Sequence, residues 1–377
     1  MDSINPADRV LERGMEALRT LFGDGWAVTE GRGHYSEGYG AFYDLKPLGE
    51  NVTALLYVED FDSVTPRTVE TELAPRAHLL RHLVTEAHMV VVAPWISTKA
   101  QQLLLSHGIA YLDLTGNVGL RISRPAVFIH SVGASRSPHP TSRTTKTMAT
   151  LAGAKAGRLV RLLADVRPPY RAAELANAAS LSLPYVSRLL DTLEDQLLIR
   201  RTGRVINTVD WPGLLRARAA ETSLLRPDAY TGMVATNGIA SVLNRISRLP
   251  ARERDGLAVT GSVAAHRLAP LTARGQLMVY VADWLAIDED LEDHLGLLPT
   301  KENADVILLR PSDEVVFERL REVDARQEVS LSQLVLDCLS GPGRMPAEGE
   351  AVIKEMLRDE EEWRASAIAD LPRSSLF

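Results

Sequence analysis

Ser182, Pro184, Tyr185, Ser187 and Arg188 stand together in the run LSLPYVSRLL, and Arg200, Arg201 and Arg204 follow shortly after. Hydroxyls and guanidiniums grouped in this way suit duplex DNA, where an arginine can pair bidentately with guanine and other cations take backbone phosphates. Lys155, Arg158, Arg161 and Arg171 lie just upstream. Between Arg136 and Arg218 fourteen Lys and Arg stand against six Asp and Glu, so this stretch carries +8 in a chain whose net charge is −7. Charge matters for nucleic-acid binding by location rather than by total. A different chemistry is suggested by His78 and His82, spaced i, i+4 on an expected helix, as in zinc sites. No HExxH pattern accompanies them, and a solvated helix face is the better reading.

The elements able to position the basic group are legible around it. From Ala154 to Val166, Leu159, Leu162, Leu163 and Val166 recur at helical spacing and leave Lys155, Arg158 and Arg161 off the apolar face. Pro168 and Pro169 stop this helix. A second helix is expected from Arg171 to Ala179, then a tight turn through Ser180 and Leu181. Ser182 occupies an N-cap position and Pro184 the first turn, where a missing N–H costs nothing. The helix begun there turns Val186, Leu189, Leu190 and Leu193 to the core and Tyr185, Ser187 and Arg188 outward. That outward N-terminal end is the part of a recognition helix that enters the major groove. QLLIRRTGRVINT then reads as two short strands joined at Thr202-Gly203, a basic hairpin suited to phosphates.

The run LSLPYVSRLLDTLEDQLLIRR resembles the corresponding stretch of MarR- and IclR-like winged-helix repressors, in which a serine-capped helix with a Val-Ser-Arg-Leu-Leu core precedes a wing. The likeness implies a DNA-binding winged helix. Together with the later GSVAAHRLAP segment, residues 155–363 resemble AbiEi-like antitoxins, bacterial transcriptional regulators of type IV toxin–antitoxin systems. That family begins with its winged helix, whereas here a whole domain precedes it.

The first segment alternates helix and strand in the order α-β-β-β-α-β-α-β, from the amphipathic run Ala7–Phe22 through WAVTEG, GAFYDL, VTALLYVED, a helix over Arg67–Ala87, MVVVAPW, a short helix Thr98–Ser106, AYLDL and VGLRI. This order resembles the core of PD-(D/E)XK nucleases, which implies metal-holding carboxylates at Asp44 and Glu59. The lysine of that motif is replaced by Phe61, so the domain is expected to be inactive. The turn in YLDLTGNVGL needs Gly and Asn for backbone reasons, with Asp113 and Asn117 as possible pocket-lining groups. Toward the C-terminus, VTGS, a helix and QLMVYV resemble the opening of polymerase-β-type nucleotidyltransferases. Gln276 and Met278 stand where that family carries paired carboxylates, and Asp283 comes too late for a two-metal site.

At 377 residues, 45% hydrophobic and 24% charged, the chain is expected to fold throughout into several α/β (α+β) domains. The divisions are a restriction-endonuclease-like domain at 1–133, a linker at 134–153, a winged helix at 154–210, a bridging segment at 211–230 and a nucleotidyltransferase-like domain at 231–370. The single cysteine, Cys338, excludes an internal disulfide and a Cys-rich zinc site, and the N-terminus lacks an apolar run of signal or membrane-span length. The expected protein is a cytoplasmic, DNA-bound and so nucleoid-associated transcriptional regulator. It should bind double-stranded DNA as a homodimer, with no catalytic residues, cofactor, metal or membrane contact and with an effector still to be named. The alternatives are a metal-dependent DNA nuclease whose winged helix delivers substrate, and a type IV antitoxin.

Overall fold

The computed structural model describes residues 6–31, 40–84, 86–135, 149–271, 275–286 and 290–371. The chain divides into two compact units, Met1–Met148 with Asp195–Leu197, and Ala149–Glu194 with Leu198–Phe377. In the first, helix α1 (Pro6–Phe22) precedes strands β1 (Trp26–Glu30), β2 (Ala41–Pro47) and β3 (Ala54–Asp60). The expected helix over 67–87 is interrupted: α2 (Pro66–Thr68) passes through a π turn, Val69–Leu73, into α3 (Ala74–Leu83), with Pro75 in the first turn of α3. Strand β4 (Ala87–Ala93), helix α4 (Thr98–Ser106) and strands β5 (Ala110–Asp113), β6 (Val118–Ile122) and β7 (Val127–Ser131) complete the unit.

These seven strands form one sheet in chain order, antiparallel at both ends and parallel from β3 through β5. Alternation along the strands separates two cores. Leu45, Leu56 and Val58 face α1, while Val91, Leu104 and Tyr111 pack with Val69 and Leu73 on the opposite face. A side chain at Gly14 of α1 would stand 2.4 Å from Val92, so the helix approaches the sheet where it has no Cβ. Strand β7 falls in a stretch the sequence left unassigned. Its Val127 and Ile129 pack into the core, but Phe128 between them is 77% exposed, so an apolar residue on the outer face hides the alternation that marks a half-buried strand.

The second unit opens with α5 (Ala154–Asp165), β8 (Tyr170–Arg171), α6 (Ala172–Ala178), α7 (Leu183–Asp195), β9 (Ile199–Thr202) and β10 (Val205–Val209). The three strands form a small sheet in the order β8-β10-β9. Helix α8 (Trp211–Glu221) occupies the interval expected to be a bridge, and its Trp211, Leu214 and Leu215 are buried. Then follow β11 (Tyr230–Ala235), α9 (Ile239–Arg248), α10 (Ala251–Asp255), β12 (Leu257–Thr260), α11 (Gly261–Leu268), β13 (Leu277–Val281), α12 (Leu291–Leu295), β14 (Leu297–Pro299), β15 (Val306–Leu309), β16 (Arg321–Val323), β17 (Arg326–Glu328), α13 (Leu331–Leu339), α14 (Met345–Met356) and α15 (Glu360–Trp363). The larger sheet runs β14-β11-β15-β13-β12-β17-β16.

One apolar core joins the winged-helix elements to this sheet, from Leu159 and Leu190 through Trp211 to Val279 and Leu334. Trp211 meets Trp363 edge-on at 4.9 Å between ring centroids. The buried Arg364 donates to the carbonyls of Leu163, Ala164 and Val166, closing the orphan acceptors at the end of α5. The winged helix is therefore one layer of a larger body, not a bead between linkers. Most of the expected linker, 136–148, lies outside the described residues.

Candidate nucleic-acid interface

Helix α7 forms because Val186, Leu189, Leu190 and Leu193 place one apolar stripe against the core, each fully buried. The chain turns into it through Ser180 at φ 52, and the amide of Leu181 bonds the Ala176 carbonyl. Ser182 immediately precedes the helix and its carbonyl accepts from the amide of Val186 at 3.1 Å, while Pro184 sits in the first turn. Ser182, Pro184 and Arg188 are exposed, and Tyr185 and Ser187 are half-buried. Burial raises the Tyr185 phenol above its ordinary pKa, and the neighbouring Arg218 and Arg188 act in the opposite direction.

The wing is a tight hairpin. Val205 pairs with Thr202, leaving Gly203, at φ 62, and Arg204 as the two-residue turn. Arg200 and Arg204 are exposed, as are Lys155 on α5 and Arg171, which pairs across to Val205 at the edge of the wing sheet. The side chains of Lys155, Arg188, Arg200 and Arg204 make no hydrogen bond or ion pair with a described residue.

Two arginines expected in this group do something else, and so does a third. Arg201 turns inward, because it lies two residues beyond the buried Ile199 and so shares its face of β9. Its guanidinium bonds Asp191 at 2.8 Å and Glu194 at 2.5 Å on α7. Burial opposes its charge, and these two carboxylates outweigh burial and raise its pKa. Arg158 donates to Asp313 at 2.8 and 3.0 Å. Arg161, expected off the apolar face, is 1% exposed and donates to the carbonyls of Val315 and Glu318 and to Ser330. Burial lowers its pKa to about 10. The signal for Arg201 was present in the period of two along β9. For Arg158 and Arg161 no local signal existed, since the surface they meet comes from residues 313–330.

Residues 154–203 match the IclR helix-turn-helix domain. That match supports a DNA-binding transcriptional regulator, and it falls on the segment from α5 to the tip of the wing. No curated protein and no solved structure matches the chain.

The remaining chemistry-bearing residues are dispersed. Asp44 sits opposite Leu55, and Glu59 lies four residues further along β3. At ~3.3 Å per residue their positions are ~13 Å apart along the strands, too far to share one ion. Glu59 is instead buried and paired with Arg76 at 2.5 Å, with burial raising its carboxyl above the usual range against the pull of that arginine. The Asp113 carboxylate accepts from the amides of Ile96, Thr115 and Asn117 and from the side chains of Thr115 and Asn117. Asn117 also bonds Gly133 and Ala134, so this buried pair organises the β5–β6 turn. Asp113 also lines a cavity with Arg13, Glu16 and Ser131, while Asn117 does not.

His78 and His82 are exposed, with their Nε2 atoms 3.1 Å apart. In the second unit Ser262 donates to Glu348 at 2.6 Å, every residue of β13 is buried, and Asp283 pairs with Arg310 beyond the strand end. Among the described residues no group of three or more His, Cys, Asp or Glu gathers where a metal ion would be held, and no helix is long and apolar enough to cross a membrane.

Proposed function

We propose that the chain is a sequence-specific transcriptional regulator that grips double-stranded DNA with α7 and the β9–β10 wing and carries out no catalysis. Arg188, with the hydroxyls of Ser182, Tyr185 and Ser187, addresses base edges and nearby phosphates from the first turns of α7. Arg200 and Arg204 take backbone phosphates beside the groove, and Lys155 and Arg171 add to the same positive field. The observation that carries this reading is the unbalanced charge at the helix and wing: Arg188, Arg200 and Arg204 are exposed without acidic partners among the described residues, in a chain whose net charge is −7. One recognition helix supplies few base contacts, so two copies on half-sites ~34 Å apart complete the specificity in this proposal. The protein acts in the cytoplasm, where the nucleoid is.

The test is selection of bound sequences from a random duplex library, followed by affinity titrations at several salt concentrations. A motif of two related half-sites and an affinity falling steeply with salt are expected. Recovery of no motif, together with salt-independent binding, would defeat the reading.

A further inference from the structure

Between α5, α8 and α13 of the second unit lies a cavity of about 370 Å³, within the size range of small-molecule sites. Four arginines line it: Arg161, Arg218, Arg226 and Arg310. Its acids are already engaged. Asp313 is held by Arg158, and Asp337 accepts from Thr260, Tyr280 and Gln333. Arg161 is buried and its Nε has no hydrogen-bond partner, while the exposed guanidinium of Arg226 has none from a described residue. Arg161, whose other guanidinium nitrogens are held by Val315, Glu318 and Ser330, contributes a fixed positive charge from the wall, and the Arg226 guanidinium is the one open to direct contact.

Two further features point to the same ligand chemistry. Helix α5, twelve residues long, begins at the cavity with Gly153 as its N-cap and no side chain closing its first amides. Such an end carries a positive partial charge and free N–H groups, which anions satisfy. Arg218 lies across that end and bonds the carbonyls of Leu151 and Gly153. It fits because Gly157 has no side chain: a Cβ there would stand 2.5 Å from the Arg218 guanidinium.

We propose that this cavity binds a small ligand through a compact oxyanion, a carboxylate or phosphate group, with Arg226 at the mouth and the α5 N-terminus and Arg161 within. Its walls join two winged-helix-side helices to α13, and Arg218 also lies within electrostatic reach of Tyr185 on α7. Occupancy therefore alters operator binding, a consequence that rests on the DNA-binding reading.

The test is calorimetric titration of the full chain, without DNA, with inorganic phosphate and separately with succinate at constant ionic strength. Saturable one-to-one binding of either probe is expected, and which probe binds identifies the oxyanion. Arg226→Ala, an exposed position, should weaken it about tenfold, the effect of losing one charge-assisted hydrogen bond, and Arg226→Lys should recover part of the loss. Gly157→Ala should weaken binding by displacing Arg218. Saturable binding by neither probe, or equal affinity in the wild type, Arg226→Ala and Gly157→Ala, would overturn the site. A second titration with operator DNA reads the coupling alone, so its failure leaves the binding result standing.

Discussion

Arg201→Ala separates an arginine that holds the wing from those that face DNA. In the folded chain its guanidinium is 21% exposed and links β9 to Asp191 and Glu194 on α7, whose side chains are 29% and 15% exposed. A fully exposed pair contributes ~0.2–1 kcal/mol, while breaking a fully buried one costs ~3–5 kcal/mol. This half-buried double bridge falls between them, so removal should cost about 2 kcal/mol. For a unit of this size each kcal/mol shifts Tm by ~2–4 °C, which gives a drop of about 4–8 °C. At temperatures where the variant is folded, the slope of log affinity against log salt should be unchanged, because Arg201 is neutralised within the protein. Arg200→Ala with Arg204→Ala should do the reverse, leaving Tm within about 1 °C and reducing the slope by ~0.9 for each phosphate that is no longer neutralised. Thermal melts and anisotropy titrations on the same preparations read both quantities. If Arg201→Ala melted with the wild type and lowered the salt slope, the inward placement of this side chain and the reasoning built on it would be wrong.

Arg188→Ala should erase the preference for operator over random duplex, worth ~1–3 kcal/mol for a bidentate guanine pair, and spare weak general binding; an unchanged ratio in competition assays would remove α7 from the groove. Burial raises the Asp337 carboxyl from 3.8 to about 6, so the folded state keeps a proton that the unfolded state releases. The stability attached to this group is full below 3.8 and falls as pH rises to about 6, by about 3 kcal/mol in all. The difference in denaturant stability between wild type and Asp337→Asn should therefore change across that window and be flat above it; a pH-independent difference would refute the assignment. With magnesium or manganese the purified protein should not cut duplex DNA, and cleavage abolished by Asp44→Ala or Glu59→Ala would instead favour a nuclease.

The sequence by itself determined what depends on neighbours along the chain. The period of Val186, Leu189, Leu190 and Leu193, the turn at Ser180, Pro184 in the first turn and the Gly203 hairpin are local, and so α7 and the wing were legible in the residues alone. The alternating order of the first unit was readable for the same reason, apart from strand β7, whose outer face carries an apolar Phe128, and the π turn at Val69–Leu73. Tertiary structure decided which charges face water. Arg158 and Arg161 look like solvent-side positions of an amphipathic helix until residues 313–330 cover that side, and a helix buried nearly all round carries no mark of it in its own spacing. Asp44 and Glu59 sit on adjacent strands, but only the register reveals that they are four positions out of step. The arginine-lined cavity is the extreme case. Arg161, Arg218, Arg226 and Arg310 are scattered over about 150 positions and meet only because one core joins α5 and α8 to the C-terminal sheet.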